Sequence, residues 1–165
     1  MRFRPLLPTL ALVSAVTALA LGPSTLSAPK SDAAHNKDVA LALMAKLSVG
    51  DLTGIEALVD EEGDFTPKNA RSMQQLRRTY FPDMRYEVEE VVAEGDKVFL
   101  WYKVTGHHTG GDAKIPATGN ILEIPEVALL TFHDGKVRDR RLLTDMRTLQ
   151  KVMGDPEAEH SHDEK

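Results

Sequence analysis

Residues 97–109 read KVFLWYKVTGHHT, and this stretch decides the fold. Its side chains alternate between two unlike faces, with the period of a β-strand. One face carries Val98, Leu100, Tyr102, Val104 and His108. Phe99 and Trp101 lie on the opposite face, where the sheet would otherwise meet water. Large aromatic residues in such a patch indicate a covered surface, either a partner in a homodimer or another segment of the same chain.

Turn signals on both sides of this strand predict three more strands. Glu94-Gly95-Asp96 and the HDGK sequence at 133–136 are typical of tight turns, so strands precede and follow them at 86–93 and 137–145. A glycine-containing loop at 110–119 leads into a strand at 120–132. We expect a bulge at Pro125 in that strand, because proline has no amide hydrogen for a central ladder.

Helical patterns flank the strands. We expect Asn36 to cap a first helix that ends at Gly50, and Asp51 to start a second, shorter helix. A third helix, capped by Asn69, stops at Phe81-Pro82 because the residue before proline disfavours helical backbone. A last amphipathic stretch runs over 146–154. Helices followed by an antiparallel meander predict an α+β domain.

The amino terminus has the pattern of an export signal. Basic residues at Arg2 and Arg4 precede an apolar run at 6–21, followed by Gly22-Pro23-Ser24. This layout predicts a signal peptide over 1–27, cut after a small residue near 18–20 or 25–27, and export to the periplasm or the medium. The run is too short for a spanning helix, so we expect no stable membrane insertion after processing. The alternative is a merely hydrophobic helix.

The same pattern sets the domain boundaries that we expect. A linker covers 28–36, the domain covers 37–154, and the acidic tail at 155–165 has too few apolar residues to fold.

Composition narrows the function classes. The 165 residues include no cysteine, which excludes a disulfide framework and thiolate chemistry, and the net charge of −5 argues against a nucleic-acid surface. We find no phosphate loop and no dinucleotide fingerprint, so no cofactor is expected. His107 and His108 are adjacent in a strand and point to opposite faces, so they cannot share an ion and we expect no metal.

Six short sequences, taken in order, carry a resemblance to a known family. They are Phe81-Pro82-Asp83-Met84, Val92-Ala93-Glu94-Gly95-Asp96, 105–110 (TGHHTG), 115–119 (IPATG), 132–137 (FHDGKV), and Asp145 with 149–154 (LQKVMG). Over about 36–154 the chain resembles the SnoaL-like polyketide and ester cyclases of the nuclear transport factor 2-like superfamily. The resemblance implies a cone-shaped α+β fold in which a curved antiparallel sheet wraps around the N-terminal helices. It also implies an apolar cavity that is open at one end, and relatives that dimerise through the sheet.

The resemblance assigns roles to particular residues. An acidic residue at the end of the last strand is the general acid/base of the cyclases, and Asp145 matches it; the alternative is that Asp145 caps the last helix. Strand parity places Tyr102 and His108 on the cavity face, where either could donate to a developing oxyanion or hold a ligand carbonyl. We expect Tyr102 to bind the substrate and His108 to be the second catalytic residue, although His108 can equally be a structural strand-end histidine. Glu126 is a second candidate carboxyl or a rim residue, and Leu130 and Phe132 share its parity.

The last strand departs from the family pattern. Arg141 occupies the usual tryptophan position, and Leu143 replaces a polar or aromatic residue. If Arg141 faced the cavity, it would keep a nearby carboxylate ionised and favour binding of an acidic ligand over proton abstraction. Two functions therefore stay open: acid/base cyclisation, isomerisation or hydrolysis of a small apolar carbonyl compound, or binding of such a hydrophobic or weakly acidic ligand without turnover. A homodimeric interaction domain acting through Phe99 and Trp101 is a third.

Overall fold

The computed structural model describes residues 32–154, which form a four-stranded antiparallel sheet with helices on one face. The helices are α1 (Ala33–Val49), α2 (Pro67–Tyr80) and α3 (Met146–Val152). The strands are β1 (Arg85–Glu94), β2 (Lys97–His107), β3 (Ile121–His133) and β4 (Lys136–Thr144), in the spatial order β1-β2-β3-β4. The predicted α+β class is confirmed. Within the described part of the chain, no helix combines the length and the apolarity needed to cross a membrane.

The start of α1 corrects the predicted cap and linker. Asp32 caps the helix, because its Oδ1 accepts the N–H groups of Ala34 at 3.1 Å and His35 at 3.3 Å. Asn36, the predicted cap, is buried inside the helix and its Nδ2 donates to the Gly95 carbonyl at 3.1 Å. The linker predicted over 28–36 therefore overlaps α1 from Ala33 onward. The predicted signal peptide at 1–27 and tail at 155–165 lie outside the described residues.

Two other helix starts also differ from prediction. The expected helix after Asp51 is only a 3-10 turn over Ile55–Ala57, since the Asp51 carboxylate accepts the Thr53 N–H at 2.9 Å and Gly54 has a left-handed φ of 71°. Helix α2 is capped by the Thr66 hydroxyl, which accepts from Asn69 N–H at 3.2 Å, so Asn69 lies inside the helix. As predicted, α2 stops at Tyr80, immediately before Phe81-Pro82.

The sheet register is regular at Pro125, so the predicted bulge there is wrong. Pro125 pairs with Lys103 without a register shift. β4 begins to pair with β3 only at Glu126, which leaves Pro125 with a neighbouring strand on one side. The register shifts at two other places, where Glu89 in β1 and Arg138 in β4 form bulges and have no paired residue on the neighbouring strand.

The two faces of the sheet follow the predicted parity. The inner face of β2 and β3 packs against the helices and is buried at Val98, Leu100, Tyr102, Val104, Leu122, Ile124, Glu126, Ala128, Leu130 and Phe132. On the outer face, two cross-strand rows lie side by side: Glu90, Trp101, Val127, Leu143 and Val92, Phe99, Leu129, Arg141. Trp101 is 43% exposed and Leu143 72% exposed, so an apolar patch crosses the sheet in this chain.

Candidate functional site

A cavity of about 240 Å³ lies between α2, α3 and the end of the inner sheet face where β2 finishes and β3 begins. Helix α2 supplies one stripe of its wall with the i, i+3, i+4, i+7 spacing of a helix face: Met73, Leu76, Arg77 and Tyr80. The rest of the lining is Phe81, Met84, Val104, Leu122, Ile124, Glu126, Leu149 and Met153. Arg77 and Glu126 are the charged residues of this lining, and every other lining residue except Tyr80 is apolar.

Glu126 is buried at 2% exposure, and its carboxylate accepts hydrogen bonds from three side chains. Its Oε2 accepts from the Tyr102 hydroxyl at 2.8 Å, and its Oε1 accepts from the Thr144 hydroxyl at 2.7 Å. The Arg77 guanidinium donates to both oxygens, at 3.1 Å to Oε1 and 3.4 Å to Oε2. A carboxylate has about four acceptor sites, so these contacts fill them.

Arg77 keeps two donors for another partner. Its Nη1 donates to Tyr86 Oη at 3.0 Å and to Glu126, and its Nη2 donates once to Glu126. Of the five N–H groups of a guanidinium, the Nε–H and the second Nη2–H remain, and these two share one edge of the group. Neither has a hydrogen-bond partner among residues 32–154. Burial opposes the charge of Arg77, but Tyr86 and Glu126 outweigh burial and raise its pKa.

Tyr102 lies on the inner face as predicted, behind Glu126 rather than in the cavity wall. Its ring is 2% exposed and packs edge-on against Tyr86 with centroids 5.9 Å apart. Burial, followed by the Glu126 charge, raises the pKa of Tyr102 well above the ordinary value. The hydroxyl therefore stays protonated and acts as a fixed donor to Glu126.

A second guanidinium lies close to this cluster. Arg140, on the inner face of β4, contacts Met73 Sδ at 2.9 Å and lies 4.8 Å from the centroid of the Phe65 ring. No carboxylate within residues 32–154 forms an ion pair with it. Burial lowers the pKa of Arg140, and the Arg77 charge lowers it further, while Tyr102 and Glu126 act in the opposite direction.

His108 is fully buried on the predicted face but does not line the cavity. Its ring packs behind Phe81 and Tyr80, with centroids 5.2 and 6.1 Å away. Its Nδ1 lies 3.0 Å from Thr118 Oγ1, and its buried Nε2 has no hydrogen-bond partner in the described part of the chain. Contact with a cavity ligand would require Tyr80 or Phe81 to move.

The structure places Asp145 at the N-terminus of α3 and not in the cavity. Its Oδ1 accepts the Thr148 N–H at 3.1 Å and its Oδ2 accepts the Thr148 hydroxyl at 2.7 Å. The side chain is exposed, and these hydrogen bonds lower the pKa of the carboxyl below its ordinary value. This is the geometry of a helix cap, the alternative that the sequence left open.

Three other predicted residues also lie away from the cavity. Arg141 pairs with Leu129 on the outer face and is exposed, since inner-face parity on β4 belongs to Arg140 and Thr144. Leu130 and Phe132 are buried on the inner face, but at the opposite end of β3, where they pack in the core. Of the seven predicted site residues, the structure places Glu126 in the cavity wall and Tyr102 directly behind it.

Sequence reasoning missed Arg77, Arg140 and Thr144. A usable signal existed for Arg77, because a charged residue in the apolar stripe of an amphipathic helix is buried and needs a partner. No such signal identifies Arg140, whose direction depends on the bulge at Arg138. Within residues 32–154 no three His, Asp or Glu side chains come together as metal ligands do.

Comparison with known proteins identifies the family of the sequence and relatives of the fold. The family model for the SnoaL-like polyketide cyclases matches residues 37–151, so the chain belongs to the SnoaL-like polyketide cyclase family. Its fold, with helices followed by a curved four-stranded antiparallel sheet, is the nuclear transport factor 2-like α+β fold of these proteins. None of the curated proteins matches the sequence.

Solved structures share the fold at low sequence identity. AclR from Streptomyces galilaeus, for which a hydroxylase activity is suggested, is 27% identical with a TM-score of 0.66, and the match covers 74% of this chain and 87% of AclR. A protein from Jannaschia sp. CCS1, proposed to be a SnoaL-like polyketide cyclase, is 22% identical with a TM-score of 0.66. The match covers 78% of this chain and 96% of the Jannaschia protein. IdmH from Streptomyces antibioticus, a proposed polyketide cyclase, is 20% identical with a TM-score of 0.64 and coverage of 72% and 98%.

Proposed function

We propose that this chain is an exported protein that binds a small, mainly apolar molecule in the cavity, with a carbonyl oxygen of that molecule on the free edge of Arg77. One observation carries the proposal: Arg77 lines a mainly apolar cavity and keeps its Nε–H and one Nη2–H unused. A bound oxygen would accept charge-assisted hydrogen bonds from these two N–H groups, which are stronger than bonds between neutral groups. Export rests on the signal-peptide pattern of residues 1–27.

The size and the lining of the cavity support a small apolar ligand. A volume of about 240 Å³ lies below the roughly 300–1,000 Å³ that is usual for drug-sized molecules. Tyr80 is the other polar residue of the wall besides the charged pair, and its hydroxyl donates to Asp112 at 3.0 Å. The body of the ligand therefore meets apolar side chains, and one acceptor group meets Arg77.

Acid/base cyclisation is the second candidate function, and membership of the family favours it. Neither predicted catalytic residue lies in the cavity wall. Asp145 caps α3, and His108 packs behind Phe81, so both side chains would have to move to reach a ligand. Glu126 is close enough to a ligand, but its four acceptor sites are filled, which leaves no lone pair for an incoming proton. Binding without turnover therefore fits the side-chain geometry better.

The outer face of the sheet supports a homodimer as part of the proposal. The patch around Phe99 and Trp101 extends over Val92, Val127, Leu129 and Leu143, so it crosses all four strands. A second copy of the chain presents the same patch, and a two-fold axis would let the two bury each other. This face lies on the side of the sheet opposite the cavity, so assembly and binding are separable.

Closing the cavity mouth tests the binding proposal. Leu76 is 59% exposed and also lines the cavity, so Leu76→Trp narrows the opening with little strain in the core. We expect calorimetry with 2-octanone, an apolar ketone, to show saturable one-site binding to the natural chain and at least tenfold weaker binding to Leu76→Trp. Gln75→Trp, on the neighbouring exposed position, is the control and should bind like the natural chain. Equal binding by both variants, or none by the natural chain, contradicts the proposal.

A further inference from the structure

The charges around the cavity do not balance, and we infer from this that the ligand is a monoanion: a small apolar acid bound as its carboxylate. This inference rests on the proposed function and names the chemical class of its ligand. Two guanidinium groups, Arg77 and Arg140, lie near one buried carboxylate, Glu126, and Arg140 also borders a neighbouring surface pocket together with Asp64 and Asp139. Neither aspartate forms an ion pair with Arg140, so on the cavity side two guanidinium groups share one ion-paired carboxylate, which leaves one positive charge in excess there.

An excess charge at this depth interacts strongly with a ligand. Opposite charges attract more strongly in the low-dielectric interior than in water, and an unpaired buried charge is costly. Arg77 is 20% exposed and Glu126 is 2% exposed, so solvent screens the cluster weakly. Arg140 has no ion-pair partner among the described residues, and it contacts Met73, which lines the cavity wall. A carboxylate on the free edge of Arg77 would neutralise the excess.

The hydrogen-bonding geometry selects the same class. The Nε–H and the remaining Nη2–H lie on one edge of the guanidinium, and this fork matches the two oxygens of a carboxylate. A ketone or an ester offers one oxygen for two donors. An alcohol would also present a hydroxyl hydrogen, for which the filled acceptor sites of Glu126 leave no place.

A matched eight-carbon series tests the inference by titration calorimetry at neutral pH. The probes are octanoate, 2-octanone and 1-octanol, which share an apolar body and differ in the polar end. We expect the natural chain to bind octanoate at least tenfold more tightly than 2-octanone, and 1-octanol most weakly. We expect Arg140→Gln to reduce the preference for octanoate severalfold. Arg141→Gln makes the same charge change on the outer face and should leave the preference intact.

A double variant tests the role of Arg77. Replacing Arg77 alone would leave the Glu126 charge buried without its ion-pair partner, so Arg77→Met is combined with Glu126→Gln, whose amide oxygen can accept from one of the Tyr102 and Thr144 hydroxyls while its NH2 donates to the other. The preference for octanoate should disappear in this variant. A preference that survives there, or that falls equally in Arg140→Gln and Arg141→Gln, overturns the inference.

The same titrations separate this inference from the proposed function. If octanoate and 2-octanone bind the natural chain equally, the cavity binds ligands but does not select an anion, and only the inference fails. If 2-octanone does not bind the natural chain, the proposed function fails as well. If the double variant does not fold, the natural chain and the Arg140→Gln and Arg141→Gln pair still give the decision.

Discussion

Glu126 shows how a buried charge determines its surroundings. A carboxylate at 2% exposure is tolerated only when it is paired and hydrogen-bonded, and here Tyr102, Thr144 and Arg77 meet both conditions. Strand parity predicted the inward direction of Glu126 and Tyr102. The partners could not be predicted in the same way, because Arg77 comes from a helix 49 positions earlier in the chain. Pairing across elements depends on packing, which a local pattern does not encode.

Asp145 gives a prediction about pH. Hydrogen bonds from Thr148 lower the pKa of this carboxyl, so in the folded chain it titrates below the roughly 3.9 of a free aspartate. A lowered folded pKa contributes stability that is fully present above the unfolded value and is lost as the pH falls through the folded value. We expect a carbon-detected NMR titration to place the Asp145 midpoint below that of an unstructured peptide.

The outcome of this titration also bears on catalysis. Asp145→Ala should remove the pH-dependent contribution and lower the melting temperature slightly at neutral pH, because α3 loses its cap. An Asp145 midpoint raised above the free value would contradict the capping assignment and would favour the general acid/base role.

At the scale of elements, α3 depends on the loop before β3. Thr118 Oγ1 donates to the Val152 carbonyl at 2.8 Å, and Asn120 Nδ2 donates to the same oxygen at 3.1 Å. These bonds satisfy a carbonyl at the end of a seven-residue helix that is too short to be stable alone. Because Leu149 and Met153 belong to the cavity wall, this attachment also maintains the site.

Thr118→Val tests that dependence. The variant removes the hydroxyl that bonds both Val152 and His108, so we expect amide hydrogen exchange in α3 to become at least severalfold faster while the centre of β2 and β3 is unchanged. Thr109→Val, whose exposed hydroxyl makes only a 3.5 Å bond to the His107 carbonyl, is the control. Uniform exchange changes across the sheet, or none in α3, would show that the attachment does not hold the helix locally.

Elements were predicted better than their ends. The four strands and the stop of α2 followed from turn residues, alternation and Pro82, which act locally. The helix starts failed at Asn36 and Asn69 because Asp32 and Thr66 precede them and take the cap. The bulge predicted at Pro125 was wrong because it assumed a paired strand on both sides of Pro125, whereas β4 ends at Thr144, opposite Glu126. The cavity position predicted for Arg141 was wrong because the bulge at Arg138 determines which β4 residues face inward, and a local pattern does not show that bulge.

At the scale of the molecule, the apolar patch on the outer face predicts self-association. Trp101 lies on a central strand of the sheet and is 43% exposed in the single chain. We expect sedimentation velocity to show a dimer for the natural chain and a monomer for Trp101→Glu at the same concentration. In a two-fold interface each copy would bury the introduced carboxylate, so the dimer would contain two unpaired charges. Phe99→Asp should act in the same way.

Two controls frame that experiment. Val49→Glu introduces a charge at an apolar position that is 63% exposed at the end of α1, on the side of the sheet opposite the patch, and should leave the dimer intact. Binding of 2-octanone should be unchanged in Trp101→Glu, because the cavity lies on the opposite side of the sheet. A dimer that persists in Trp101→Glu and Phe99→Asp contradicts an interface at this patch.

The central claim is that a ligand oxygen meets Arg77 in a cavity between α2 and the inner sheet face. Its most direct test is an NMR titration of the labelled chain with 2-octanone, following the Arg77 Nε–H signal and the methyl groups of Leu122, Ile124 and Met153. We predict saturable shifts at Arg77 and at these methyl groups, with none at Val92 or Leu143 on the outer face. Shifts confined to the outer face, or an Arg77 signal that does not move while the ligand binds, would contradict the claim.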